Sequence, residues 1–198
     1  MYSIRIFISI LFLLLVLGCA TETVIAIDKP KSLKVKKNMT IFEAIKSNNL
    51  ELADKLYLDY RGRHPESNKL PTMILKLSKA HMDAREYLLA RYYAEAYIKG
   101  YPYGIRADKA WFLRSKSFFL SHKENDSSQE LADKFKMEAK TFISSYPRSK
   151  HKREIEQMLK ESQELIRKRN EEIALTYEKM GKDKAAKYYR DKIDKPTE

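Results

Sequence analysis

The side chains best suited to chemistry are few and dispersed. Cysteine occurs once, at Cys19, and histidine four times, at His64, His81, His122 and His151. A single thiol closes no disulfide within the chain, and with four scattered imidazoles it cannot complete a Cys-rich zinc site. The chain has no Gly-rich phosphate loop, no Gly-x-Ser-x-Gly elbow and no His-Glu-x-x-His pair. Carboxylates are plentiful, but Glu171-Glu172 and Asp126 sit in charge-rich stretches that read as solvated surface. His81 shares a helix face with Ile74, Leu77 and Ser78, where an imidazole packs more readily than it ligates. No catalytic residue, metal site or cofactor is expected.

Cys19 has a different context. Arg5 precedes a run, Ile6 to Leu17, that is apolar apart from Ser9 and ends in Val16-Leu17-Gly18-Cys19. Twelve helical residues reach about 18 Å, short of a bilayer core of about 30 Å. The run therefore reads as an export signal rather than a membrane span. Its end looks like a bacterial lipobox, with cleavage before Cys19 and lipidation of that residue. Residues 1–18 are then a lipoprotein signal peptide. Each buried acyl CH₂ contributes about 0.8 kcal/mol, so several chains anchor firmly. Residue 20 is Ala rather than Asp, which favours the outer membrane, with the protein on its periplasmic face. Residues 19–39 form a basic, flexible tether carrying Lys29, Lys31, Lys34, Lys36 and Lys37, which could graze anionic headgroups.

These features need a body to carry, and residues 40–198 supply it. The chain has 39 Lys and Arg against 27 Asp and Glu, a net charge of +12. Export makes nucleic acid a poor partner despite that charge. Few Gly and Pro among many charged residues favour helices, and no segment shows strand alternation. Thr40-Ile41-Phe42-Glu43 has capping-box spacing and opens a short helix that Asn48-Asn49 ends. Further helices are predicted over Leu50–Arg63, from Pro71, over Glu86–Lys99 and over Ile105–Ser121. A polar loop, Lys123 to Asp126, precedes a second capping box at Ser127-x-x-Glu130, whose helix ends at Tyr146-Pro147. Ile155, Leu159, Ser162, Ile166, Arg169, Ile173, Tyr177 and Met180 keep one face of a long helix, Lys152–Met180, that Gly181 stops. A last helix, Lys182–Ile193, ends before Pro196.

The helices repeat. Counting back from Pro65, Pro102 and Pro147, apolar residues recur at twelve (Ala53, Ala90, Phe135), eight (Tyr57, Ala94, Ala139) and five (Tyr60, Tyr97, Phe142) positions. In the preceding helices, Ile74, Leu77, Ser78 and His81, and then Trp111, Ser115 and Phe118, follow the tetratricopeptide order of large, small and aromatic residues. Ile173, Ala174, Tyr177, Gly181 and Ala186 do so at the end. The expected fold is all-α, a right-handed α-solenoid of about four divergent tetratricopeptide-like hairpins over residues 40–198. An ordinary bundle with accidental offsets is the alternative. A heptad coiled coil is excluded by the loops and prolines.

A lipobox, a basic tether, repeats closed by His-Pro or Tyr-Pro, the segment Phe142-Ile143-Ser144-Ser145-Tyr146-Pro147-Arg148-Ser149-Lys150, and a long helix ending Tyr177-Glu178-Lys179-Met180-Gly181 together resemble the BamD family. That family commonly has five repeats; four are counted here. The resemblance implies a non-enzymatic subunit of the β-barrel assembly machinery. It would scaffold the periplasmic domains of BamA, join other assembly-complex subunits and receive unfolded outer-membrane proteins. The candidate partner-binding residues are Arg153, Arg167, Lys168 and Arg169 on the long helix, and Leu77, His81 and Phe118 on the first helices of the repeats. Two other roles stay open: a pilotin-like assembly factor of a secretion system, and a scaffold for cell-wall enzymes.

Overall fold

A computed structural model describes residues 39–125 and 128–194. Signal peptide, Cys19, all of the tether before Met39, Asp126, Ser127 and Pro196 lie outside the described residues. Within them the fold is all-α. Its helices are α1 (Ile41–Lys46), α2 (Leu50–Arg63), α3 (Leu70–Asp83), α4 (Tyr87–Gly100), α5 (Ala107–Glu124), α6 (Gln129–Ser145), α7 (Lys152–Lys179) and α8 (Asp183–Asp194). No helix among the described residues is long and apolar enough to cross a membrane.

Each helix packs on the next, and α1 on α3, α3 on α5 and α5 on α7 as well. The apolar stripe explains the pairing. Ala53, Ala90, Phe135, Ala94, Ala139 and Phe142 have no exposed surface, and Tyr57 and Tyr97 are buried. Small residues let backbones approach: the Ser78 hydroxyl, fully buried on α3, donates to the Ala90 carbonyl on α4 at 2.8 Å. Helices α5 and α7 run parallel, because Lys116–Glu154 (2.7 Å) and Lys123–Glu161 (2.6 Å) pair at the same sequence separation.

Two kinds of turn recur. Within the hairpins α1–α2, α3–α4 and α7–α8, one residue takes a left-handed conformation: Asn48 (φ 56°), Arg85 (φ 63°) and Gly181 (φ 66°). In each, the next amide reaches back five residues, Asn49 to Ala44, Glu86 to His81 and Lys182 to Tyr177. This is the Schellman closure of a helix. Between hairpins, His64, Tyr101 and Tyr146 each precede proline, with φ between −138° and −127° and ψ between 56° and 61°. Successive amides then bond three residues back: Ser67 to His64 and Leu70 to Ser67, Gly104 to Tyr101 and Ala107 to Gly104, Ser149 to Tyr146 and Lys152 to Ser149. A His/Tyr-Pro-x-Ser/Gly sequence thus specifies one backbone path three times.

The structure departs from the predicted boundaries where tertiary bonds intervene. Helix α5 starts at Ala107 rather than Ile105, because the turn occupies 101–107. It continues into the expected polar loop, as far as Glu124. There Lys123 is held by Glu161, and Glu124 accepts the Tyr87 hydroxyl at 2.5 Å. That bond and, foremost, burial push the Tyr87 phenol up to about 12. The side chain capping α6 belongs to Ser128, which accepts from the Leu131 amide. Position N3 is therefore Leu131, and Ser127, the cap expected in the second capping box, lies outside the described residues. The first capping box forms, with Thr40 and Glu43 bonding reciprocally.

Candidate functional site

The predicted partner residues fall into two groups. On α3, Leu77 has no exposed surface and His81 is 1% exposed, so neither side chain is presented to solvent. His81 sits between two carboxylates, with Nδ1 2.5 Å from Glu86 and Nε2 3.0 Å from Asp54. The Tyr93 ring stacks on it at 5.4 Å, and the Tyr93 hydroxyl donates to the same Asp54 oxygen at 2.6 Å. Burial, then the bond to Asp54, raises the Tyr93 phenol far above its ordinary value. His, Asp and Tyr in contact resemble a proton relay, but here they lock α2, α3 and α4 together beneath the surface. Phe118 on α5 is half-buried under the Arg91 guanidinium, 4.3 Å from its ring centre.

The second group lies on α7. Arg153 and Lys168 are exposed. Arg167 is held by Glu164, with bonds of 2.7 and 2.9 Å, and by Glu171 at 3.3 Å. Its bond to Glu164 raises the guanidinium's already high pKa further. The positive charge expected at Arg167 is thus balanced on its own helix. Arg169 is half-buried on the side facing His122, whose protonation its charge opposes.

Arg167 borders a cleft of about 220 Å³ between α6, α7 and α8. Leu159, Ile166 and Ile193 give it apolar walls. Ser162 and Asn170, only 4% and 7% exposed, line it as well. No hydrogen bond to another described residue engages either side chain, and neither is among the buried polar atoms left without a partner, so both remain available to a molecule in the cleft. Charged residues Lys136, Lys192, Asp133 and Glu164 line it too. An apolar trough with available amide and hydroxyl groups is chemically suited to a peptide segment, whose side chains and backbone would meet both. Sequence reasoning placed Ser162 and Ile166 on a common helix face but followed the stripe to Arg169. Asn170, four residues after Ile166, was the available signal. Ile193 and Lys192 come from α8, which local spacing cannot bring to α7. Among the described residues no group of three or more His, Cys, Asp or Glu is placed to hold a metal ion.

His122 lies close to this cleft, fully buried on α5. Neither ring nitrogen reaches a hydrogen-bond partner in good geometry, and the nearest backbone groups belong to Ser128 and Ser162. Burial, foremost, holds its pKa below 6.5. A histidine kept neutral in the fold but free to protonate when unfolded costs stability as pH falls below its unfolded value. Stability should therefore decline from about pH 6.5 downward until the depressed folded pKa is passed. Replacing His122 with Phe should flatten that decline in melting temperature between pH 7.5 and 5; an unchanged slope would contradict this role.

Two comparisons bear on these residues. A family model described as YfiO, outer membrane lipoprotein, matches residues 39–190. A protein of Helicobacter pylori named outer membrane protein assembly factor BamD is 31% identical over 150 residues, covering 76% of this chain and 68% of that protein. The family match runs from the start of the first hairpin into α8 and takes in the α6 and α7 residues of the cleft, ending before Lys192 and Ile193.

Proposed function

The chain belongs to the YfiO family of outer membrane lipoproteins, and from that membership we propose that it is a non-enzymatic subunit of the machinery that assembles β-barrel proteins in the outer membrane. The observation that carries this reading is the match to an outer membrane protein assembly factor over three quarters of the chain. In it, Cys19 carries the lipid anchor on the periplasmic face. The hairpins stack as a right-handed solenoid of tetratricopeptide type, a reading supported by two repeated turn geometries and by the packing of α1 on α3, α3 on α5 and α5 on α7. The partners are the periplasmic domains of the barrel-forming BamA subunit, other subunits of the complex, and unfolded outer-membrane proteins.

The α6–α7–α8 cleft is the proposed partner contact. A segment entering it would cover Leu159, Ile166 and Ile193 and hydrogen-bond to Asn170 and Ser162. Arg153 and Lys168 would steer an acidic partner toward it, raising the association rate more than the affinity. Arg167 is a poor choice for charge reversal, since a Glu there would face Glu164 and Glu171. The test is a titration of the protein against the BamA periplasmic fragment at two salt concentrations. Asn170→Leu should weaken binding roughly tenfold, the equivalent of one hydrogen bond. Arg153→Glu with Lys168→Glu should slow association and flatten its salt dependence, with little change in melting temperature. Wild-type affinity and kinetics in both variants would move the contact off this cleft.

A further inference from the structure

The three connections between hairpins share one backbone path, so their outward positions can be compared directly. At the third and fifth residues of that path, the first connection carries Glu66 and Asn68 and the last carries Arg148 and Lys150. The middle one carries Tyr103 and Ile105, and these are 99% and 102% exposed. Two of the three turns form with polar residues at these positions, so the backbone does not require apolar ones. Single exposed apolar residues are ordinary on a protein surface. Two complete side chains displayed on one turn, where the equivalent turns are charged or polar, are not.

The display is built rather than loose. The Gly104 amide donates to the Tyr101 carbonyl at 3.0 Å, and the Ala107 amide to the Gly104 carbonyl at 2.9 Å. A Cβ at position 104 would lie 2.6 Å from the Tyr97 hydroxyl oxygen and 3.1 Å from the Tyr101 carbonyl oxygen. Glycine therefore lets the turn seat directly on Tyr97, whose ring packs against Tyr101 at 5.4 Å. Tyr103 and Ile105, on either side of Gly104, are left pointing away from this support.

The surroundings are basic. Arg106 follows Ile105, and the half-buried Lys109, whose pKa is lowered first by burial, is also near enough to Arg106, Lys150 and Lys79 for their charges to oppose its own. The Ser149 hydroxyl donates to Asp108 at 2.7 Å, which brings the next turn, with Arg148 and Lys150, against the start of α5. Asp108 is the carboxylate in this group. Lys79 is paired with Asp83, and a second carboxylate, Glu66, lies near Tyr101 at the start of the turn.

We propose that the 101–107 turn is a membrane-docking element, in which Tyr103 and Ile105 enter the interface of an anionic lipid leaflet while Arg106, Lys109, Arg148 and Lys150 meet its headgroup phosphates. A protein partner would have to supply pockets for two side chains leaving one narrow turn. A lipid interface accepts apolar side chains of any shape, and tyrosine places its ring in the acyl boundary with the hydroxyl at headgroup depth. Flanking lysines and arginines add attraction to anionic lipid. The inference rests on the proposed anchor only to keep a bilayer within reach of the tether, about 70 Å at full extension.

The test uses the full, lipidated chain with Ile105→Cys, labelled with an environment-sensitive fluorophore and reconstituted into phosphatidylcholine vesicles with or without phosphatidylglycerol. Acylated Cys19 cannot take the label, so a failed anchor announces itself as two labels per chain and is distinguished from a failed docking element. Blue-shifted emission and quenching by spin-labelled lipid in the anionic vesicles are the expected result. Adding Arg106→Glu and Lys109→Glu should reduce the quenching at least about threefold while the melting temperature holds. Water-like emission in both vesicle types would overturn the proposal. So would a shift that lipid quenchers do not reach and that appears only when a partner protein, or a higher concentration of the chain itself, is added.

Discussion

Replacing Phe142 with alanine is expected to lower the free energy of unfolding by about 3–5 kcal/mol. The ring has no exposed surface. It lies on the α6 stripe and packs against Tyr146 at 5.6 Å, and its carbonyl accepts the Tyr146 amide that closes the helix before Pro147. Truncation thus opens a void beside the turn that starts α7, whose 28 residues span about 42 Å. Because domains of this size are stable by only about 5–15 kcal/mol, a loss of this magnitude removes a large fraction of the total. Urea denaturation followed by circular dichroism would measure it. A loss under about 1 kcal/mol would mean that the site collapses freely and that the stripe does not organise the core.

Asp54→Ala should be the next most damaging change, by a different route. One Asp54 oxygen faces His81 Nε2 at 3.0 Å and accepts the Tyr93 hydroxyl at 2.6 Å. His81 and Tyr93 are both buried, so removing the acceptor leaves two buried polar groups unsatisfied, at about 1–3 kcal/mol each. Tyr93→Phe removes only one of them and should cost less. The double variant should be less destabilised than the two single losses added together, because a ring without its hydroxyl no longer needs an acceptor. Strict additivity in the three denaturation curves would contradict a shared network.

What could be read from local spacing was the repeat. Ala53, Ala90 and Phe135 hold one place in three hairpins, and all three are without exposed surface. Gly181 ends α7 as expected, one residue after the helical cap. These features rest on contacts between residues close in the chain or on conformations only a few residue types adopt. The rest depends on partners far along it. Asp54 meets His81 and Tyr93 across 27 and 39 residues. Helix α5 outlasts its predicted end because Glu161 and Tyr87 lie on other helices. Helix α6 starts at Gln129 because the Ser128 hydroxyl accepts from the Leu131 amide, and adjacent serines in a sequence do not reveal which one caps. Leu77 and His81 belong to a repeat motif, which identifies packing positions as readily as binding ones. The cleft needed α8 folded back on α7, which no spacing within either helix encodes.

The most direct test of the assembly role is affinity purification of the lipidated chain from detergent-solubilised envelope of the bacterium that makes it, with identification of the proteins retained at near-equal amounts. Recovery of a BamA-type barrel protein, reduced when Asn170→Leu is used as bait, is the result expected here. Recovery of secretin subunits or peptidoglycan enzymes in its place would contradict it.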